Sequence, residues 1–140
     1  MNSIENPGQY HQQYENSITD PESFWGEIAN DFVWKKKWDK VLEWDFHKAD
    51  VKWFVGGKLN ITENCIDRHL PNRAHQTAII WEPNNPDDPA QHITYQQLHD
   101  QVCKVANMLK AQGVKKGDRV CIYLPMIPEL AFAEIGRAHV

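Results

Sequence analysis

The chain has 140 residues, 41% of them hydrophobic and 24% charged, which suits one ordinary globular domain or a piece of a larger one. A net charge of −4 argues against a nucleic-acid surface, which needs clustered positive charge. No apolar run approaches the roughly 20 residues of a membrane helix, and residues 1–10 lack the apolar core of a signal peptide, so a cytoplasmic protein without nucleic-acid or membrane partners is expected.

The region 7–70 holds five of the six tryptophans, Trp25, Trp34, Trp38, Trp44 and Trp53, and so reads as a small α+β unit packed by aromatics. Asp20-Pro21-Glu22 starts a helix: Asp20 accepts from an orphan N–H, Pro21 has none to lose, and Glu22 complements the dipole. Phe24, Trp25, Ile28 and Phe32 then form a stripe facing a core. The run Lys35, Lys36, Lys37 reads as a solvated helix face rather than a phosphate or RNA patch, because acidic residues surround it. Residues 41–46 and 51–55 read as strands, with a turn at Gly56-Gly57. Asn60 caps a helix from Ile61 to about Leu70 that buries Ile61, Cys65, Ile66 and Leu70 before Pro71 stops it.

From Arg73 onward strand and helix signals alternate. Residues 77–81 are a short apolar strand, and the Pro-, Asn- and Asp-rich stretch 82–91 is a surface loop. Thr94 and Gln97 have capping-box spacing, and Leu98, Val102, Val105, Ala106 and Leu109 recur at helical spacing up to Gly113. Lys116-Gly117-Asp118 is a turn, residues 120–124 an apolar strand, and Pro128-Glu129 the start of another helix. The order implies a right-handed βαβ unit in a parallel sheet, and hence an α/β class overall. One such unit leaves apolar faces and an unpaired strand edge, so residues 1–133 alone are expected to be poorly soluble.

Candidate chemistry is sparse. Gly56-Gly57-Lys58 resembles the tail of a phosphate loop but lacks the upstream Gly, the following Ser/Thr and the strand-to-helix setting, so a turn is the better reading. His69 with His75, and His92 with His99, could supply two metal ligands each, with no third in view. Asp67 with His69 suggests acid–base work, although a charged loop explains both. Cys65, Cys103 and Cys121 lack zinc or disulfide spacing and are expected as buried reduced thiols. The tryptophans could form a stacking platform for sugars or bases, but their apolar neighbours favour core packing.

The segments YENSITDPESFW (14–25), VKWF (51–54), GKLN (57–60), NCIDRHL (64–70), TAIIWE (77–82), ITY (93–95), GDRV (117–120) and YLPMIPEL (123–130) resemble, in order, the opening of the AMP-forming acetyl-CoA synthetases. Propionyl-CoA and acetoacetyl-CoA synthetases share part of the pattern. The resemblance implies an N-terminal extension (1–20), a cap region (21–72) and the first part of the large adenylate-forming domain (73–134). It also implies a two-step reaction: acetate attacks the α-phosphate of ATP, with Mg²⁺, to give acetyl-AMP and pyrophosphate, and coenzyme A then displaces AMP. The family's nucleotide, acyl and coenzyme motifs and its catalytic lysine lie beyond these residues. No catalytic, cofactor-binding or metal-binding residue is therefore expected here, and the chain alone is expected to be inactive. Acyl preference, oligomeric state and regulation by lysine acetylation are left open. Where the family would continue, the chain reads Ile135-Gly136-Arg137-Ala138-His139-Val140. One codon choice for these six residues reproduces a short-read library adapter in frame, followed by a stop. Residues 135–140 are accordingly expected to be adapter-derived. The rival expectations are a free-standing aromatic-rich binding module and a regulatory truncation.

Overall fold

A computed structural model describes residues 4–138, so His139 and Val140 of the suspected adapter segment lie outside the described residues. The mixed α/β class expected from the sequence is what the structure has, in two compact units divided between Leu59 and Asn60.

The first unit opens with α1 (Pro7–Thr19), a helix not anticipated from the sequence. Its start is nonetheless written locally: Asn6 Oδ1 accepts from Gln9 N–H at 3.0 Å, Gln9 Oε1 accepts from Glu5 N–H at 2.7 Å, and Pro7 opens the first turn. Asp20 separates α1 from α2 (Pro21–Asn30) and serves both. Its N–H closes on Asn16 O at 3.0 Å, and its carboxylate accepts from Ser23 N–H at 3.1 Å. Strands β1 (Lys40–Asp45) and β2 (Asp50–Val55) pair antiparallel, Leu42 opposite Trp53 and Asp45 opposite Asp50. Asp45 Oδ1 accepts from the N–H groups of His47 and Lys48, which fixes the tight 3₁₀ turn between the strands.

In the second unit, Asn60 caps α3 (Ile61–Cys65) as expected, its Oδ1 accepting from Thr62 N–H at 2.9 Å. The helix is far shorter than the sequence suggests. It gives way to a 3₁₀ turn (Asp67–His69) and to α4 (Leu70–Arg73). Pro71 lies in the first turn of α4, where its missing N–H costs nothing, rather than stopping a helix. The break changes what is buried: Ile66 is 1% exposed, whereas Ile61 and Cys65 face outward and Leu70 is half-buried.

Strand β3 (Thr77–Trp81) falls where the apolar run placed it. Its partner is β4 (Gln91–Thr94), a four-residue strand inside what reads as loop and helix entry, and the pairing is antiparallel with a register irregularity between Thr77 and Ile79. Both two-stranded sheets among the described residues are antiparallel, so the expected parallel βαβ unit is not formed among them: β3 pairs with a strand that precedes α5 rather than with one that follows it. The expected strand 120–124 carries no ladder, because a strand exists only where a neighbour supplies hydrogen bonds, and among the described residues none lies beside it.

Helix α5 (Tyr95–Ala111) has both halves of the capping box. Thr94 Oγ1 accepts from Gln97 N–H at 3.2 Å, and Gln97 Oε1 from Thr94 N–H at 2.9 Å. Gly113, at φ +86°, ends it through a Schellman motif: Gly113 N–H reaches Lys110 O at 2.9 Å and Val114 N–H reaches Leu109 O at 3.1 Å. Helix α6 (Pro128–Ala138) packs on α5. Ile66, Ile93, Leu98, Val102 and Phe132 form the core, with Ala78, Ile79, Val105 and Ile135 against it.

Candidate functional site

In the first unit, Trp34 donates from Nε1 to Ala29 O at 2.8 Å, anchoring the segment after α2. The Trp34, Trp38 and Phe54 rings lie 4.9–5.4 Å apart, centroid to centroid, mostly edge to face. This clamp surrounds Phe54 at φ +50°, a left-handed conformation that a bulky side chain adopts only when its surroundings impose it. Gly57 is part of the same arrangement, since a Cβ there would meet Trp34 Cζ3 at 2.7 Å and Phe54 O at 2.9 Å. Lys58 bridges antiparallel to Lys36. Gly56-Gly57-Lys58 is therefore a packed turn.

The lysine run is also an extended bridge, not a helix face. Lys36 pairs with Asp39 at 3.1 Å, while Lys37 donates to Asn30 Oδ1 at 2.7 Å and sits over the Trp38 ring. The expected burial of all five tryptophans needs correction. Trp34 and Trp38 are half-buried, but Trp25, Trp53 and Trp44 are exposed, Trp44 to 65%. A two-stranded hairpin offers too little surface to cover both of its faces.

In the second unit the histidines find partners other than those that adjacency suggests. The 3₁₀ turn sends Asp67 toward α5, where Asp67 Oδ1 lies 3.3 Å from His99 Nε2 and Cys103 Sγ lies 3.6 Å from the same nitrogen. Asp100 is a charge neighbour of His99 Nδ1 at 3.5 Å. His69 turns the other way, its Nδ1 3.5 Å from Arg73 Nη1, its Nε2 3.5 Å from Arg68 Nε, and its ring 5.3 Å from that of Tyr95. Desolvation, and then the charges of Arg68 and Arg73, hold the His69 imidazole below its ordinary proton affinity. Asp67 and His69 thus do not form an acid–base pair. His75 and His92 are exposed. Among the described residues, no three His, Cys, Asp or Glu side chains are placed to hold a metal ion. The cysteines are unpaired, but Cys65 and Cys121 are exposed rather than buried: Cys65 ends a five-residue helix, and Cys121 lies in the segment without a ladder.

Two open clefts flank β3, β4 and α6. One, of about 390 Å³, is lined by His92, Gln97, Gln101, Glu129 and Phe132 among others. The other, about 520 Å³, is mainly apolar and runs between Ile79–Trp81 and Met126–Leu130, where Trp81 Nε1 donates to Met126 O at 2.8 Å. Neither cleft gathers the convergent cations, backbone N–H groups or carboxylates that a nucleotide triphosphate with its metal would need. No helix among the described residues is long and apolar enough to cross a membrane.

Comparison with known proteins covers nearly the whole chain. Residues 10–65 match the family model described as acetyl-coenzyme A synthetase N-terminus, and residues 66–139 match that described as AMP-binding enzyme. The acetyl-coenzyme A synthetase of Saccharophagus degradans is 57% identical over 136 residues, covering 96% of this chain and 21% of the relative. That of Alkalilimnicola ehrlichii is 55% identical, with 93% and 21% covered. Among solved structures, acetoacetyl-CoA synthetase from Streptomyces lividans superposes with a TM-score of 0.78 at 28% identity, covering 89% of this chain and 19% of that one. The chain spans about a fifth of the length of the curated relatives it matches.

Proposed function

The chain belongs to the AMP-binding enzyme family, its front part matching an acetyl-coenzyme A synthetase N-terminus, and from this we propose that it is the opening portion of a cytoplasmic acetate–CoA ligase. The whole protein converts acetate, ATP and coenzyme A to acetyl-CoA, AMP and pyrophosphate by way of acetyl-AMP. Within this chain, residues 21–72 serve as the cap region and residues 73–134 begin the adenylate-forming domain. The observation that carries the proposal is the match to acetyl-CoA synthetases, at 57% identity over 96% of the chain. Acetate is favoured over acetoacetate because the acetoacetyl-CoA synthetase is only 28% identical.

ATP, coenzyme A and Mg²⁺ are assigned to the whole protein. When bound, Mg²⁺ neutralises the charge that develops on the phosphates. The described residues do not fit these groups: the glycine turn at 56–57 is filled by Trp34, and among the described residues no three metal-ligating side chains converge. The chain's own contribution is scaffolding, in which α5 and α6 pack around Val102 and Phe132 and present β3.

The test is to read the source DNA across codon 134, express the complete product, and measure acetate-dependent AMP formation with propionate and acetoacetate as rivals. Acetate should give the highest kcat/KM, and the 140-residue chain alone should neither turn over nor bind ATP in a calorimeter. Preference for acetoacetate, or micromolar ATP binding by the short chain, would overturn the assignment.

A further inference from the structure

In the segment joining α3 to β3, Arg73 and His69 are brought together in a way that the proposed reaction does not explain. Arg73 is fixed twice: Nε donates to Gln76 Oε1 at 2.6 Å, and the guanidinium carbon stands 5.2 Å from the centre of the Tyr95 ring. The His69 ring lies 5.3 Å from the same tyrosine, and its two nitrogens each face a guanidinium, Nδ1 toward Arg73 and Nε2 toward Arg68, both at 3.5 Å. Guanidinium groups fixed in this way ordinarily meet a carboxylate. Among the described residues, neither Arg73 nor His69 is paired with one, and the nearest in sequence, Asp67, is turned toward His99. The cluster stands out the more on a chain whose net charge is −4.

We propose that Arg73 and His69, with Arg68 adding to the local field, form a surface site for a phosphate-class dianion, either free phosphate or a phosphate monoester. The fork of Arg73 suits two oxygens of a tetrahedral anion, and an N–H of His69 suits a third. Tyr95 supplies the wall that holds both side chains in place. The site stands apart from the ligase reading and does not depend on it. The depressed proton affinity of His69, due first to desolvation and then to the neighbouring arginine charges, fits the arrangement, because a dianion beside Arg73 would favour the protonated imidazole.

Phenylglyoxal, which modifies accessible arginine, tests the site when the modified residues are read by peptide mass spectrometry. Millimolar phosphate should slow modification of Arg73 severalfold relative to sodium chloride of equal ionic strength, while the exposed Arg119 and Arg137 react as before. A nucleoside 5′-monophosphate that protects at lower concentration than phosphate would identify the source as a nucleotide. Equal protection by the two would identify the phosphoryl group alone. In His69→Gln the protection should be largely lost. Equal Arg73 rates in phosphate and chloride, uniform slowing at all three arginines, or full protection persisting in His69→Gln would each overturn the proposal.

Discussion

In the 140-residue chain, replacing Gly136, which falls in the segment expected to be adapter-derived, with alanine sets two effects of opposite sign against each other. Gly136 lies inside α6 and is buried. Helix propensity alone makes Gly→Ala favourable by about 1 kcal/mol in a helix interior. The structure argues the reverse: a Cβ at this position would stand 2.8 Å from Val105 Cγ1, 2.9 Å from Val105 Cβ and 3.3 Å from Val102 O. Val105 Cγ1 could swing away, but Val105 Cβ and the Val102 carbonyl are fixed to the backbone of α5. The two helices would therefore have to separate by several tenths of an ångström. Overpacking of this kind costs about 1–3 kcal/mol, so the net change is destabilisation of about 1 kcal/mol and at most about 2. In a unit of this size each kcal/mol lowers Tm by about 4–8 °C. Thermal unfolding followed by circular dichroism at 222 nm, with urea titration for the free energy, reads the difference. A variant stabilised by about 1 kcal/mol would show that propensity acts unopposed and that α5 and α6 do not approach as described.

Three further outcomes are expected. Thr94→Ala removes one half of the capping box and should cost about 1 kcal/mol in urea titration, with Thr94→Ser largely neutral. Gly57→Ala should destabilise the first unit by about 1–3 kcal/mol, because Phe54 O is backbone and cannot yield, and tryptophan fluorescence should report loosening of the Trp34–Trp38 pair. For His69 the folded proton affinity lies below the unfolded one, so the unfolded chain binds more protons as pH falls. Stability should therefore be undiminished above the ordinary histidine value of about 6.5 and fall as the pH drops through it. His69→Gln should flatten that acid limb relative to the native chain, and an unchanged slope would remove His69 as its source.

The elements legible in the sequence are those whose causes lie within a few residues. Asp20-Pro21 starts α2, Thr94 and Gln97 start α5, and Gly113 ends it, because each supplies or withholds a hydrogen bond to its own neighbours. Asn6-Pro7 with Gln9 carries the same kind of signal for α1, whose Tyr10, Tyr14 and Ile18 recur at helical spacing yet all remain exposed. The candidate site was less legible. His69, Arg68 and Arg73 are close in sequence, but their convergence depends on the 3₁₀ turn and on Tyr95, 22 positions beyond Arg73.

By itself, then, the sequence determined where α2 and α5 start and where α5 ends, the apolar face of α5 and the family to which the chain belongs, since all of these are recorded in local order and residue identity. Tertiary structure alone decided which strand pairs with which, where Asp67 and His69 point, and which tryptophans are covered. Residues 120–124 and β3 have equally apolar sequences, yet only β3 meets the hydrogen-bonding edge of another strand. A helix satisfies its backbone from within, whereas a strand, an ion pair and a buried ring each require a partner that may stand anywhere along the chain.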